Sequence, residues 1–518
     1  MQDIALDVFN VVRRPELIIG ITAAVGTPLD FVVSAIREIL QQRSYTVETL
    51  WLSKFLESLT LASPDPPPDA DEFTRISRLM DRGNELRSLV GGGHALALLA
   101  VARVYEIRSE RVGKNARKYL DGHAFVIRQL KHPDEVGWLR RICGDAFHLI
   151  GVYCPESVRK QHLVFHGAMS HDQAKALVER DKGEEHSYGQ QLRDTFHRAD
   201  VFVELPGLDQ EAMERVRSQL ERYFRLVFGE LDRGIITPTF DEYGMHLAYT
   251  AALRSADLSR QVGAAVFSRE RELLALGANE VPKAGGGQYW EDDNPRKRDG
   301  DLGYDANARM KDEILDEIAN GLLPQYPLLG EEEKRTQLEE LKNRLRSARI
   351  MNLIEFGRPV HAEMEAILAA GRASKSVRGG TLYTTTFPCH NCAKHIVGAG
   401  ITEVIYIEPY PKSLAHPLHE DSISLVETDS DHRVRFRPFV GVAPRRYEAL
   451  FSVVTADGRQ LRRKNSDGTV RRDSLGIRVQ AEALTYIDRE ELAALMIQEF
   501  GSTKLKGDDG GGHGENAS

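Results

Sequence analysis

The stretch PVHAE at residues 359–363 and the stretch PCHNC at residues 388–392 decide how the second half of this chain must fold. Together they supply one imidazole, from His361, and two thiols, from Cys389 and Cys392. Imidazole and thiolate are typical ligands of Zn²⁺, and three protein ligands leave a four-coordinate ion one open position. An open position distinguishes a catalytic site from a closed structural one. The sequence therefore predicts a catalytic zinc site built from two separate segments.

The pattern around these ligands places a carboxylate beside them. Residues 361–368 read as a helix that begins at the histidine, residues 381–385 read as a strand, and Cys389 opens the next helix. Backbone N–H groups at a helix start favour ionised thiolates, which is the form that a metal requires. Glu363 is close to the ligands without being one, and we expect it to be the acid–base catalyst. A structural zinc finger would need four protein ligands and has no use for this glutamate.

The order of these residues resembles a known family. A His-x-Glu followed by Pro-Cys-x-x-Cys, with 24 residues between Glu363 and Pro388, is similar to the pattern of the zinc-dependent cytidine and deoxycytidylate deaminases. The resemblance covers roughly residues 236–460 and implies a three-layer α/β/α domain with Zn²⁺ as its cofactor. It also implies that hydroxide attacks C4 of cytosine, that Glu363 moves the protons, and that ammonia leaves.

The same resemblance implies where a deoxycytidine nucleotide would be held. The stretch RSADLSRQVGA at residues 254–264 looks like the first hairpin strand of deoxycytidylate deaminases, and Asn279 falls where that family places a sugar-contacting asparagine. We expect three residues to contact the nucleotide, namely Gln261, Ala264 and Asn279. Three basic residues could hold its phosphates, although each could also be a surface cation: Arg254, Arg260 and Lys412.

A second candidate ligand site lies near the N-terminus. Residues 16–20 read as a buried strand, residues 21–28 as a glycine-containing loop, and residues 29–41 as a helix. This order resembles the first unit of a P-loop nucleotide kinase, in which backbone N–H groups cradle phosphate at a helix start. The lysine of that motif is absent, so we expect a second nucleotide to bind without phosphoryl transfer. A tight turn without a ligand is the alternative. The predicted cradle consists of Gly20, Gly26 and Thr27.

Alternating strand and helix patterns predict an α/β protein of at least two domains, since 518 residues exceed what one core usually supports. Residues 1–232 are expected to form a P-loop kinase-like parallel α/β domain. Residues 233–500 are expected to form the deaminase-like domain, interrupted by an insertion at about residues 282–352. Residues 501–518 are glycine-rich and polar and are expected to be disordered. In the first domain, strands are predicted at residues 45–50, 123–130, 146–152 and 200–205.

The charge balance favours a small substrate over a nucleic acid. A net charge of -9 and an aromatic content of 7% do not indicate the basic, aromatic groove that binds single strands. We therefore favour a free deoxynucleotide. Two alternatives stay open: a deaminase that acts on single-stranded nucleic acid, whose binding would depend strongly on salt, and a nucleotide-sensing regulator that releases no ammonia.

The combination of the two predicted domains resembles the bacterial phage-defence deoxycytidine nucleotide deaminases. That resemblance implies depletion of dCTP and dCMP during infection and does not choose between the two nucleotides. A homo-oligomer is expected, and basic clusters at residues 462–464 and 471–472 could contact an RNA regulator, although solvated strand ends explain them better. The sequence has no secretory signal pattern and no apolar run of about 18 residues, so we expect a cytoplasmic protein that does not enter the membrane.

Overall fold

The computed structural model describes residues 14–57, 59–67, 69–113, 119–183, 189–322, 331–346, 348–410, 413–426, 432–455, 458–478 and 490. Their strands are β1 (Leu17–Ala23), β2 (Thr46–Trp51), β3 (His123–Arg128), β4 (Phe147–Tyr153), β5 (Val201–Glu204), β6 (Gly263–Phe267), β7 (Leu273–Ala278), β8 (Thr381–Thr384), β9 (Glu403–Tyr406), β10 (Ile423–Ser424), β11 (Val434–Pro438) and β12 (Gly441–Val442).

The α-helices of the described residues follow the same chain order. They are α1 (Leu29–Gln41), α2 (Leu52–Glu57), α3 (Glu72–Val90), α4 (Ala95–Val112), α5 (Pro133–Cys143), α6 (Glu156–Phe165), α7 (His171–Gly183), α8 (Leu192–Phe196), α9 (Gln210–Val227), α10 (Phe240–Ala252), α11 (Asp299–Leu302), α12 (Ala306–Leu322), α13 (Glu331–Leu345), α14 (Ala362–Arg372), α15 (His390–Gly398), α16 (Ala415–Leu418) and α17 (Tyr447–Phe451).

The described residues divide into two compact units, each with its own sheet. The first unit takes its residues from Met1–Glu242, Glu408–Pro411 and Val440–Ser518, and the second from Tyr243–Ile407 and Lys412–Phe439. Both sheets are mainly parallel and are combined with helices, so the predicted α/β fold class is confirmed. The predicted boundaries differ from this division, because the chain returns to the first unit near residue 440 and the expected 233–500 domain is not continuous.

The first sheet has the strand order β12-β5-β4-β1-β3-β2, in which only β12 runs antiparallel to its neighbour. Its central strand β1, LIIGITA, is buried along its whole length, which is why its sequence is an apolar run without alternation. Helices α1 and α9 contribute Ile36, Leu220 and Phe224 to the core that covers this sheet. The four strands predicted in this half are confirmed as β2, β3, β4 and β5.

After residue 440 the chain returns to the first unit, where it forms a strand pairing and hydrogen bonds to buried carboxylates. Val442 of β12 pairs with Val201 of β5. The backbone N–H of Val442 also donates to the buried carboxylate of Glu242 at 2.8 Å. A few residues later the guanidinium of Arg446 donates to buried Asp200 at 2.9 Å. These contacts hold the segment after residue 440 against the first sheet.

The second sheet has the strand order β10-β11-β9-β8-β6-β7. Strand β6 runs antiparallel to both β7 and β8, whereas β8, β9, β11 and β10 run parallel to one another. Strands β6 and β7 form a hairpin, and of the predicted first hairpin strand at residues 254–264 only Gly263 and Ala264 belong to β6. Helices α14 and α15 place Ala366, Cys392 and Ile396 in the core beside this sheet.

The insertion predicted at residues 282–352 contains α11, α12 and α13. Residues 501–518, predicted to be disordered, lie outside the described residues. Among those that are described, no single helix has the length and apolar composition to cross a membrane, although α3 and α4, bent by 91° at their junction, pass that test as a pair.

Candidate metal centre

In each of the two predicted ligand segments, a predicted ligand is the residue that directly precedes a helix. His361 caps the start of α14 and Cys389 caps the start of α15, both with extended backbone. The Cys389 sulfur accepts a hydrogen bond from the backbone N–H of Cys392 at 3.4 Å. The His361 side chain makes no capping bond to its own helix, and its Nδ1 faces the two sulfurs instead.

A close approach of backbones fixes the start of α14 against strand β7. A Cβ atom added to Gly277 would lie 2.1 Å from the carbonyl oxygen of Ala362 and 2.5 Å from the backbone nitrogen of Ala366. Any residue with a side chain would push the helix away, so glycine is required at this position. Because Ala362 directly follows His361, this contact also positions the imidazole.

The ligand atoms have the spacing that a tetrahedral zinc ion needs. His361 Nδ1 lies 3.3 Å from Cys389 Sγ and 3.3 Å from Cys392 Sγ, and the three ligand atoms lie within 4.8 Å of one another. Typical Zn–S and Zn–N bonds at tetrahedral angles would separate nitrogen and sulfur by about 3.6 Å. One nitrogen and two sulfurs form a donor set that suits zinc, so the residues fit the predicted cofactor.

Glu363 is buried beside the ligands. Its side chain is 3% exposed, and its Oε2 accepts a hydrogen bond from the Cys392 thiol at 3.5 Å. Burial raises the pKa of Glu363 above its ordinary value, and the nearby Cys389 raises it further. A buried carboxyl group at this position can hold or release a proton next to the ligand set.

The three predicted ligands shift one another's pKa values. The hydrogen bond with Cys389 raises the pKa of His361 to about 9. Hydrogen bonds from Cys392 and His361 lower the pKa of the Cys389 thiol, whereas its contact with Cys389 raises the pKa of Cys392. Zn²⁺ binds thiolates and neutral imidazole, so metal binding to these three side chains would release protons.

Comparison with known proteins identifies this part of the chain. The family model described as the cytidine and deoxycytidylate deaminase zinc-binding region matches residues 238–408. Residues 238–408 belong to this family. This segment, called the deaminase region below, contains all three predicted zinc ligands and Glu363.

Two deoxycytidylate deaminases and one solved structure are similar to parts of this chain. The deoxycytidylate deaminase of Enterobacteria phage T2 is 46% identical over 54 residues, which are 10% of this chain and 29% of that protein. The deoxycytidylate deaminase of Mus musculus is 28% identical over 166 residues, which are 32% of this chain and 63% of the relative. The chain thus spans less than two thirds of either relative. The dCMP deaminase of cyanophage S-TIM5, solved with dCMP and dUMP, is 18% identical over 39% of this chain and 99% of its own, with a TM-score of 0.22.

The predicted nucleotide contacts Asn279 and Gln261 brace the loop before β6. The Asn279 amide accepts from the backbone N–H of Val262 at 2.7 Å and donates to the Arg260 carbonyl at 2.6 Å. The Gln261 amide donates to the Ser255 carbonyl at 2.8 Å. Both side chains therefore shape the loop, and their contact with a nucleotide remains a prediction. Ala264, the third expected contact, is buried within β6.

Sequence reasoning missed Glu280, which links this loop to the zinc ligands. Its backbone pairs with Val360, the residue before His361, through hydrogen bonds of 3.0 and 3.3 Å. Its buried carboxylate accepts from the backbone N–H of Ala256 at 2.9 Å. The available signal was an acidic residue directly after Asn279.

The three predicted phosphate-binding cations have different surroundings. Arg254 donates to Gln288 at 3.2 Å and to the Tyr289 carbonyl at 3.0 Å, and its guanidinium lies 3.6 Å over the Trp290 ring. Residues of the insertion therefore hold Arg254 in place. The Arg260 side chain is exposed, and Lys412 lies outside the described residues.

The predicted phosphate cradle of the first unit is shorter than expected. Strand β1 continues to Ala23, so the loop comprises residues 24–28 and Gly20 lies inside the strand. A Cβ atom at Gly20 would lie 2.7 Å from Leu130 and 2.9 Å from Phe147. The structure thus corrects the role given to Gly20, because this glycine makes room for neighbouring side chains in the sheet.

Gly26 and Thr27 do lie in the loop, where an internal carboxylate takes one of its donors. Gly26 has φ of +82°, and the Val25 N–H donates to Asp181 at 2.8 Å. Burial alone would raise the pKa of Asp181, but Lys131 at 3.0 Å and hydrogen bonds to the carboxylate keep that pKa below its ordinary value. The ionised carboxylate of Asp181 therefore already accepts a hydrogen bond from one backbone N–H group of the loop.

Proposed function

We propose that this chain hydrolyses the exocyclic amine of deoxycytidine nucleotides, converting cytosine to uracil with release of ammonia. The observation that carries this proposal is the convergence of His361, Cys389 and Cys392 beside the buried carboxyl group of Glu363. A structural zinc site would not need a buried acid–base residue next to its ligands.

The proton transfers are assigned to one residue. His361, Cys389 and Cys392 would hold a zinc ion, which when bound would supply a hydroxide nucleophile near neutral pH. Glu363 accepts one proton of the attacking water and delivers it to N3 of the cytosine ring, and it then moves the remaining proton from the new C4 hydroxyl group to the amine. The C4–O bond forms, the C4–N bond breaks, and the amine leaves as ammonia.

The substrate is proposed to be a free deoxycytidine nucleotide. Support comes from the deaminase region and from the relatives, which are deoxycytidylate deaminases. The net charge of -9 does not favour a strand of nucleic acid. By resemblance to the phage-defence deaminases, we also propose that the chain depletes dCMP and dCTP in the cytoplasm during infection.

A substrate panel tests this proposal. The zinc-loaded full chain is incubated with dCMP, dCTP, CTP and a cytosine-containing single strand, and uracil products and ammonia are measured. Release of ammonia from dCMP, dCTP or both, at a rate well above that from the strand, supports the proposal. Deamination of the strand alone, or of no compound, contradicts it.

A further inference from the structure

Residues 408–410 directly continue the chain beyond strand β9, yet they belong to the first unit, whereas Ile407 still belongs to the second. This short segment has two polar side chains, and both are buried. Glu408 is 1% exposed and Tyr410 is 2% exposed. Because buried polar groups normally have hydrogen-bond partners, the partners of these two side chains show what holds the segment in place.

Tyr410 is held by the carboxylate that also binds the loop at residues 24–28. Its hydroxyl donates to Asp181. The same carboxylate accepts the backbone N–H of Val25 at 2.8 Å and the ammonium of Lys131 at 3.0 Å. Burial raises the pKa of the Tyr410 phenol, and the charge of Asp181 raises it further. The hydroxyl therefore keeps its proton and remains a hydrogen-bond donor.

Helix α6 fixes the loop that Tyr410 approaches. The guanidinium of Arg159 donates to the Val25 carbonyl at 3.0 Å and lies 5.0 Å from the centre of the Tyr410 ring. The imidazole of His162 donates to the Gly26 carbonyl at 3.0 Å. Tyr410 is therefore attached to a part of the first unit that is itself held by several contacts.

Glu408 provides a second attachment at the start of the segment. Its carboxylate accepts a hydrogen bond from the guanidinium of Arg193 at 2.6 Å. Ala24 of the loop and Leu192 of α8 form a small buried cluster with Tyr410. A polar and an apolar contact thus hold the chain immediately after β9.

Within the second unit, the last residue of β9 packs beside a predicted zinc ligand. The rings of Tyr406 and Phe387 lie 4.7 Å apart at an angle of 83°, and both side chains are buried. Phe387 precedes the ligand Cys389 by two residues. Closely packed buried rings cannot shift independently, so a displacement of the end of β9 would reach the segment that carries Cys389.

We propose that Tyr410 is a positioning residue for the zinc ligand Cys389. Its hydrogen bond to Asp181 holds the end of β9, and β9 in turn fixes the pair of rings that precedes Cys389. The inference concerns metal binding, so it does not depend on the proposed deamination. A chain whose zinc affinity responds as described below and that releases no ammonia would contradict only the proposed function.

Metal titration of the full chain measures this positioning without turnover. Co²⁺ is added to the metal-free chain, the absorption of its bonds to thiolate sulfur reports the ligand geometry, and competition with Zn²⁺ gives the zinc affinity. Tyr410→Phe keeps the ring and loses the hydroxyl, and Asp181→Asn loses the charged partner. We expect each change to alter the Co²⁺ spectrum and to weaken zinc binding about twofold to thirtyfold, the range for substitutions between coupled sites.

Three further variants test the route of this coupling. The double variant Tyr410→Phe, Asp181→Asn should bind zinc no more weakly than the weaker single variant, because both changes remove the same hydrogen bond. In a Phe387→Leu background, Tyr410→Phe should lose most of its effect. Glu16→Gln is the matched control and should leave zinc affinity unchanged. It removes another buried carboxylate of the first unit, paired with Arg108 at 2.9 Å beside the opposite end of β1.

Three results would overturn the proposal. The first is an unchanged zinc affinity and Co²⁺ spectrum in both Tyr410→Phe and Asp181→Asn, each confirmed as folded by circular dichroism. The second is equal weakening in Glu16→Gln, which would indicate a general loss of stability in the first unit. The third is an undiminished effect of Tyr410→Phe in the Phe387→Leu background, which would show that the pair of rings does not carry the coupling.

Discussion

Glu363 combines burial with contact to a zinc ligand. It is 3% exposed and contacts the Cys392 sulfur at 3.5 Å. Glu365, two residues further along the same helix, instead pairs with Arg372. Two glutamates of one helix therefore have separate partners, and only the first borders the ligand set.

The role of Glu363 predicts a separation of metal binding from turnover. Glu363→Gln should keep about one zinc per chain and lower kcat by at least about 10²-fold, the contribution typical of a general acid–base. Glu365→Gln removes a carboxylate of the same helix and should leave kcat close to the original. Zinc content by mass spectrometry and ammonia release would be measured together. Retained kcat in Glu363→Gln would contradict the mechanism.

Residue types with strict chemical requirements could be predicted from the sequence. Few residue types can serve a catalytic zinc site, so the sequence offers few candidates for it. The structure brings together the four that were chosen, His361, Cys389, Cys392 and Glu363. The surroundings of Asn279 could not be predicted, since its bonds to Val262 and Arg260 depend on how the loop folds back. An amide side chain can form hydrogen bonds with a ligand or with a backbone group equally well, so the residue type does not tell the two roles apart.

At the scale of elements, the packing of β7 against α14 positions the imidazole. Substituting Gly277 with alanine should push α14 from the sheet, because the new Cβ would meet backbone atoms of Ala362 and Ala366. We expect destabilisation of about 1–3 kcal/mol and weaker zinc binding. Gly371→Ala is the matched control on α14, where a Cβ has open space. Chelator competition measures zinc affinity, and equal affinity in the two variants would argue against this positioning.

His123, the first residue of strand β3, should make the stability of the folded protein depend on pH. Burial lowers the pKa of His123 to about 4, and Arg111 and Arg108 lower it too. The unfolded chain, with a histidine pKa near 6.5, takes up the proton first as pH falls. Stability is therefore complete above about pH 6.5 and is lost toward about pH 4, by up to about 1.4 kcal/mol per pH unit.

The test is the drop in melting temperature between about pH 7.5 and about pH 5. His123→Gln should show a smaller drop than the unaltered chain. Some drop should remain, because burial also lowers the pKa of His148. His171→Gln, a substitution at an exposed position, should behave like the unaltered chain. An equal drop in all three proteins would contradict the assignment.

The existence of these elements could be predicted better than their ends. The apolar run that starts β1 gives no signal that the strand continues through Thr22 and Ala23, so the predicted strand ends at Gly20 and this glycine is assigned to the phosphate cradle. Its true environment depends on Leu130 and Phe147, which are distant in sequence. Contacts of this kind are set by tertiary packing and leave little local pattern.

At the scale of the whole molecule, the chain forms two units that are not consecutive in sequence. The pairing of β12 with β5 involves only two residues, Gly441 and Val442. No hydrophobic period can indicate so short a strand. The sequence therefore predicted two α/β domains correctly in class and misplaced where the second one ends.

Metal removal should act on one unit. The cluster of metal ligands found among the described residues lies in the second unit. Zinc stabilises the folded state by mass action, by about 4 kcal/mol at a thousandfold excess over Kd. Chelation should increase hydrogen exchange in peptides of α14 and α15, and added zinc should reverse it. Peptides of β1 and β3 serve as the internal control. Equal changes in both groups would contradict a local effect.

We infer that four residues, His361, Glu363, Cys389 and Cys392, make a deaminase centre for a deoxycytidine nucleotide. Its most direct test is the conversion of dCMP by the purified full chain, with dUMP and ammonia measured together. We expect equal amounts of the two products, loss of the reaction on chelation, recovery with zinc, and no reaction in His361→Ala. Unchanged conversion by His361→Ala, or zinc-loaded chain that leaves both dCMP and dCTP intact, would contradict it.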